Sequence, residues 1–118
     1  MLVVEDHVSV RRFLVECLQI LGYTVLDAAS GGEAIALLES IDGRVDLVIT
    51  DMSMPRMSGK QLMEVVEGRW PGMRVLVVSG YSKEAVMSMG VAGPQVSVLA
   101  KPASVPELAA AMRGLLDR

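Results

Sequence analysis

Rings and thiols are scarce in this chain. Aromatic residues make up 3% of its 118 positions (one Trp, two Tyr and one Phe), and Cys17 is the single cysteine. So few rings cannot form a base-stacking platform for single-stranded nucleic acid. One cysteine excludes a disulfide framework within the chain and suits a reducing cytoplasm, the expected location. A basic cluster is missing too. The 11 Lys and Arg are outnumbered by 14 Asp and Glu, for a net charge of −3, so no nucleic-acid partner is expected for this segment. Mean hydropathy is +0.45, yet no apolar run approaches the roughly 18–20 residues that a membrane span needs. No basic segment precedes the acidic Glu5-Asp6. Neither a secretory leader nor membrane contact is therefore expected.

Aliphatic residues are plentiful. Apolar residues reach 52% of the chain, enough to bury a core without covalent staples. The length fits one domain of ~100–200 residues, expected to span residues 1–118. There is no repeat, linker or low-complexity stretch.

Short β-branched runs alternate with amphipathic stretches. Leu2-Val3-Val4, Thr24–Ala28, Leu47-Val48-Ile49, Val75–Val78 and Val96–Ala100 read as strands. Between them, apolar residues recur at helical spacing. The first helix carries Val10, Leu14, Cys17 and Leu21 and stops at Gly22; the second carries Ala34, Leu37, Leu38 and Ile41. Leu62, Val65 and Val66 mark the third, a short fourth runs over Ser82–Met89, and Leu108, Ala111, Met112 and Leu115 mark the fifth. Ser30 with Glu33, Ser58 with Gln61, and Ser104 with Glu107 form capping boxes, and Pro106 falls in a first turn, where proline is tolerated. The pattern is (βα)₅. Continuous apolar strands imply a parallel sheet buried between two helix layers, with right-handed crossovers.

In a parallel sheet the strand C-termini share one edge, where ligands bind. Glu5 and Asp6 follow the first strand, Asp51 the third, Ser79 the fourth and Lys101 the fifth. Two carboxylates ~4–5 Å apart repel by roughly 3–4 kcal/mol at an effective dielectric near 20. A hard divalent cation relieves that repulsion, and an all-oxygen donor set suits Mg²⁺. A carboxylate beside such a cation and a lysine is a plausible phosphoryl acceptor, and the Ser79 hydroxyl could bond a phosphoryl oxygen. Taken singly, Asp51 could be a loop cap and Lys101 half of a structural ion pair. Five such residues on four strand ends point to a site.

These residues resemble a known family, the receiver domain of two-component response regulators. The resemblance rests on Val3-Val4-Glu5-Asp6, Asp51-Met52-Ser53-Met54-Pro55 with Met57 and Gly59, Val77-Val78-Ser79-Gly80, and Lys101-Pro102. It covers essentially the whole chain. It implies a flavodoxin-like three-layer sandwich with strand order 2-1-3-4-5. It also implies that Asp51 is the phosphoacceptor, and that Glu5 and Asp6, with Asp51 and the backbone carbonyl of Ser53, hold Mg²⁺. Ser79 then matches the switch hydroxyl and Lys101 the phosphate-binding lysine, with the Lys101–Pro102 bond cis. The implied partner is a histidine kinase or a histidine phosphotransfer domain, and the implied output face is the fourth helix, fifth strand and fifth helix, where a homodimer could form. Val78-Ser79-Gly80-Tyr81 and the 90–95 stretch look most like receivers of hybrid sensor histidine kinases. In this family the side chains two residues beyond the acceptor and the switch hydroxyl flank the hydrolytic water. Here Ser53 is too short and neutral to hold that water well, and the bulky Tyr81 ring could shield the phosphoryl group from attack, so a long-lived phosphorylated form is expected. Val98 stands where many relatives carry a switching aromatic.

Other readings are weaker. A receiver-like interaction module that works without phosphorylation would not need all five site residues. An aspartyl-phosphate hydrolase would carry a second acid two residues past its nucleophile, where Ser53 stands, so the chain is expected not to be an enzyme beyond its own phosphorylation and dephosphorylation. No lysine follows Gly31-Gly32 at phosphate-loop spacing, which argues against ATP binding. His7 reads as an exposed residue at a helix start, Cys17 as core, and Trp70 as a packing anchor. Met52, Met54, Met57, Met87 and Met89 read mostly as filler, with an adaptable partner surface near the acceptor site as the second reading for some of them.

Overall fold

A computed structural model describes residues 1–117; the domain end expected at residue 118 lies outside the described residues. Five strands alternate with five helices: β1 Leu2–Val4, α1 Val8–Ile20, β2 Leu26–Ala28, α2 Gly31–Ser40, β3 Leu47–Asp51, α3 Gly59–Arg69, β4 Arg74–Ser79, α4 Lys83–Ser88, β5 Val96–Ala100 and α5 Val105–Leu116. The strands form one sheet in the order β2-β1-β3-β4-β5, and all its pairings are parallel.

The alternation of side chains along each strand sorts the core into two clusters. Leu2, Val4, Val48, Val75, Val77, Val96 and Val98 meet Ala34 and Leu38 of α2, Leu62, Met63 and Val66 of α3, and Val86 of α4. On the opposite face Val3, Leu47, Ile49, Leu76 and Val78 meet Cys17 and Leu18 of α1 and Leu108, Met112 and Leu115 of α5. Both layers demanded by the apolar strands are therefore present.

Three local expectations change. β2 keeps only Leu26–Ala28 of the expected Thr24–Ala28. It is an edge strand, and Leu26 and Asp27 are exposed, so burial on both faces holds for its neighbours but not for it. Leu21 is the C-cap of α1 and lies exposed, while Leu18 is fully buried; the buried stripe runs through Leu14, Cys17 and Leu18. In α2, Ser30 Oγ accepts from the Glu33 amide, but the Glu33 carboxylate accepts from the Ala29 amide at 2.7 Å, one residue beyond the cap. The boxes at Ser58 and Ser104 are complete. Trp70, C-cap of α3, packs on the α2–α3–α4 cluster. Its ring lies so close over Gly43 (φ +68°) that no Cβ fits there.

Candidate functional site

β1, β3, β4 and β5 all deliver polar groups to the same edge of the sheet. β1 ends at Val4, and the Glu5 amide donates to the Ala28 carbonyl of β2 at 3.1 Å. This continues the ladder one step and keeps the Glu5 side chain at the core boundary, only 2% exposed. Its carboxylate accepts from the His7 amide at 3.2 Å. Asp6, the next residue, is exposed. Asp51 closes β3 and is half-buried. Carboxylate oxygens of Glu5, Asp6 and Asp51 all lie within 4.8 Å of one another.

Lys101 reaches into this group from the end of β5. Its Nζ stands 3.2 Å from Asp51 Oδ1 and 3.8 Å from Glu5 Oε2. The Lys101 amide donates to the Ser79 carbonyl at 2.6 Å, which ties the ends of β4 and β5 together. The Lys101–Pro102 bond is cis, as the resemblance implies. Ser79 is fully buried, and its Oγ accepts from the Tyr81 amide at 3.0 Å. Ser53 lies two residues past Asp51 and is exposed. His7 is exposed, as expected, and its side chain does not cap α1.

The electrostatics are those of a crowded anionic site. Burial pushes the Glu5 carboxyl above the usual carboxylate range; the His7 amide opposes this, Asp51 adds to the rise, Lys101 opposes it and Asp6 adds to it. One ammonium therefore pairs with two of the three carboxylates, Asp51 and the nearly dry Glu5, and Asp6 has no cation of its own among the described residues. The donors are all hard oxygens, packed closer than their mutual repulsion favours. That set fits a small divalent cation such as Mg²⁺, which would gather the oxygens and restore the balance.

Two further residues brace the site, and neither stood out in the sequence. The buried Thr50 donates from Oγ1 to the Asp51 carbonyl at 3.0 Å. Arg11 donates to the Glu5 carbonyl at 2.9 Å and to Asp27 Oδ2 at 3.1 Å. Arg11 lies one helical turn beyond the acidic pair, but its partner Asp27 is 16 residues away, a separation at which no local pattern signals a contact. Gly59 opens α3 directly behind Asp51, where a Cβ would run into the Asp51 carbonyl oxygen; the Gly59 amide donates to the Met52 carbonyl at 2.9 Å.

Comparison with known proteins gives a consistent answer. The model of the response regulator receiver domain family matches residues 1–113. A sensor kinase CckA of Brucella abortus is 38% identical over 117 residues, which is 99% of this chain but 12% of that protein. The response regulator MprA of Mycolicibacterium vanbaalenii is 33% identical over 117 residues, and the chain spans 50% of its length. The crystal structure of a receiver domain from the hybrid histidine kinase CckA superposes with a TM-score of 0.82 at 33% identity, covering 98% of this chain and 96% of that one.

Proposed function

The chain belongs to the response regulator receiver domain family, and from that membership we propose that it is a phosphoacceptor switch of a two-component phosphorelay. Asp51 is the acceptor. One of its carboxylate oxygens attacks the phosphorus of a phosphohistidine on a histidine kinase or phosphotransfer domain. The P–O bond forms as the P–N bond breaks, and the departing imidazole takes up a proton. Glu5, Asp6, Asp51 and the Ser53 carbonyl are the groups that would hold Mg²⁺, which when bound offsets negative charge on the transferring phosphoryl group.

The single observation that carries this reading is the Lys101 ammonium 3.2 Å from Asp51 Oδ1, inside a cluster of three carboxylates. The lysine neutralises the acceptor before transfer and stays beside the phosphoryl oxygens after it. The Ser79 hydroxyl can donate to a phosphoryl oxygen while it accepts from the Tyr81 amide. A turn of that hydroxyl is then felt at once by the backbone of Gly80 and Tyr81. From there the change passes to α4, β5 and α5. The switch is a shift of populations, effective to the extent that the phosphoryl group is held better in one arrangement than in the other. The chain is read as one receiver unit working in the cytoplasm, whether it stands alone or forms part of a hybrid kinase.

Incubation with acetyl phosphate and Mg²⁺, followed by intact-mass spectrometry, tests the reading. The wild-type chain is expected to gain one phosphoryl group that hydroxylamine removes, and chelation of Mg²⁺ to prevent the gain. Asp51→Asn should gain none, and it should bind Mg²⁺ more weakly, because a charged ligand is lost. Stoichiometric labelling of a folded Asp51→Asn chain would move the acceptor elsewhere. No labelling of the wild type would favour an interaction module that works without phosphorylation.

A further inference from the structure

Arg11 has no role in the transfer described above, yet one directed bond ties it to the backbone of the acidic pair and a second anchors it to Asp27 of β2. Its Nη1 donates to the Glu5 carbonyl at 2.9 Å and its Nε to Asp27 Oδ2 at 3.1 Å. The other backbone group of Glu5, its amide, is held by the Ala28 carbonyl. Asp27 and Ala28 both belong to β2, so Glu5 is fastened to that strand twice, once directly and once through the guanidinium. The carbonyl that Arg11 grips belongs to the peptide leading into Asp6. If that peptide turns, the Asp6 side chain turns with it. Among the described residues, no hydrogen bond or ion pair holds the Asp6 carboxylate itself, whereas the Glu5 carboxylate accepts from His7 and faces Lys101.

Arg11 is well placed to hold a geometry. It sits in the first turn of α1 with its amide bonded to the His7 carbonyl at 2.9 Å, and its side chain is 19% exposed. A planar guanidinium can serve a carbonyl and a carboxylate at once; a lysine ammonium is a point charge on a floppy stem.

We infer that Arg11 is a positioning residue for the divalent-cation site: by clamping the Glu5 carbonyl to Asp27 it sets the direction in which Asp6 meets the cation. The inference rests on the reading of Glu5, Asp6 and Asp51 as that site. Competing roles differ in sign. A partly exposed ion pair that matters only for stability contributes little and leaves Mg²⁺ affinity alone. A purely electrostatic role makes Mg²⁺ bind more tightly once the positive charge is removed. Positioning makes it bind more weakly.

The test is calorimetric titration of Mg²⁺ into the wild-type chain and into Arg11→Ala, Arg11→Lys and Asp27→Asn, each checked by a thermal melt. Arg11→Ala is expected to lose affinity on the order of 10-fold, the usual cost of removing a partner that orients a metal ligand. Arg11→Lys and Asp27→Asn should lose less, in the same direction. In an Asp6→Asn background the further effect of Arg11→Ala should shrink toward none, because the clamp acts through Asp6. Unchanged or tighter Mg²⁺ binding by folded Arg11→Ala overturns the inference, as does an equal loss in both backgrounds. If Arg11→Ala does not fold, unchanged affinity in both Arg11→Lys and Asp27→Asn overturns it. A wild-type chain that binds no Mg²⁺ sinks the cation reading itself and the inference with it, an outcome visible before any variant is made.

Discussion

Tyr81 and Ser53 flank the acceptor in sequence logic, and both are exposed, Tyr81 by 53%. Either can therefore be changed with little cost to the core, which makes the lifetime of the phosphorylated form a clean measurement. Neither supplies an acid or amide to hold an attacking water, and the bulky Tyr81 ring is expected to shield the phosphoryl group from it. Hydrolysis is expected to be slow, and Ser53→Asn or Tyr81→Ala should each speed phosphate loss by roughly tenfold, the equivalent of about 1–2 kcal/mol in the barrier. Release of phosphate after removal of the donor, with Mg²⁺ present, measures this; unchanged rates in both variants would show that other groups set the lifetime. Cys17 gives a second residue-scale expectation. Burial, helped by the charge of Glu16, raises its thiol pKa. Alkylation by iodoacetamide in mild base should be much slower in the folded chain than in denaturant. The sign for stability follows. The neutral thiol is favoured by folding, so its contribution is intact below the ordinary thiol pKa and fades as pH rises through the raised one. A native thiol as reactive as the denatured one would contradict the packing of α1.

At the scale of elements, the start of α3 is the joint that matters most to the site. Ser58 caps it with a complete box, and Gly59 lets the helix approach the backbone of Asp51, where a Cβ would collide with the carbonyl oxygen. Gly59→Ala is expected to destabilise the fold by about 1–3 kcal/mol, the range for overpacking a close contact, and to slow phosphorylation because the Asp51 backbone must shift. Urea unfolding and the labelling rate measure the two effects; a variant as stable and as readily labelled as wild type would show that the joint is slack. The starts of α2, α3 and α5 were legible in the sequence because a cap is a local device, read within four residues. The extent of β2 was not, since an edge strand with one free side is decided by its neighbour. Leu21 carries helical spacing but falls past the last turn, where only the wrap of chain into Gly22 determines exposure.

For the whole molecule, the output surface is the question. Met87 and Met89 around α4 and Val105 at the start of α5 are exposed apolar residues, on the face where the family resemblance places a homodimer. Phosphorylation is expected to raise the dimer fraction at micromolar concentration, and Asp51→Asn to remain unresponsive to the phosphodonor. Sedimentation velocity with and without acetyl phosphate checks this. Identical profiles would place the response in a different partner or a different face.

Local information went a long way here. Residues two apart on a strand share a face and residues three or four apart on a helix share a stripe. The alternation in Val75–Val78 and the spacing in Leu108, Met112 and Leu115 therefore specified the layers, and a parallel sheet put Glu5, Asp51, Ser79 and Lys101 on one edge before any distance was known. The tertiary structure decided what those residues do to one another. The 3.2 Å between Lys101 and Asp51, the near-complete burial of Glu5 and the bonds from Arg11 to the Glu5 carbonyl and Asp27 join positions as far apart as residue 5 and residue 101. They depend on strand register and helix seating, which are settled by the packing of the whole core and leave no mark within a few residues of chain.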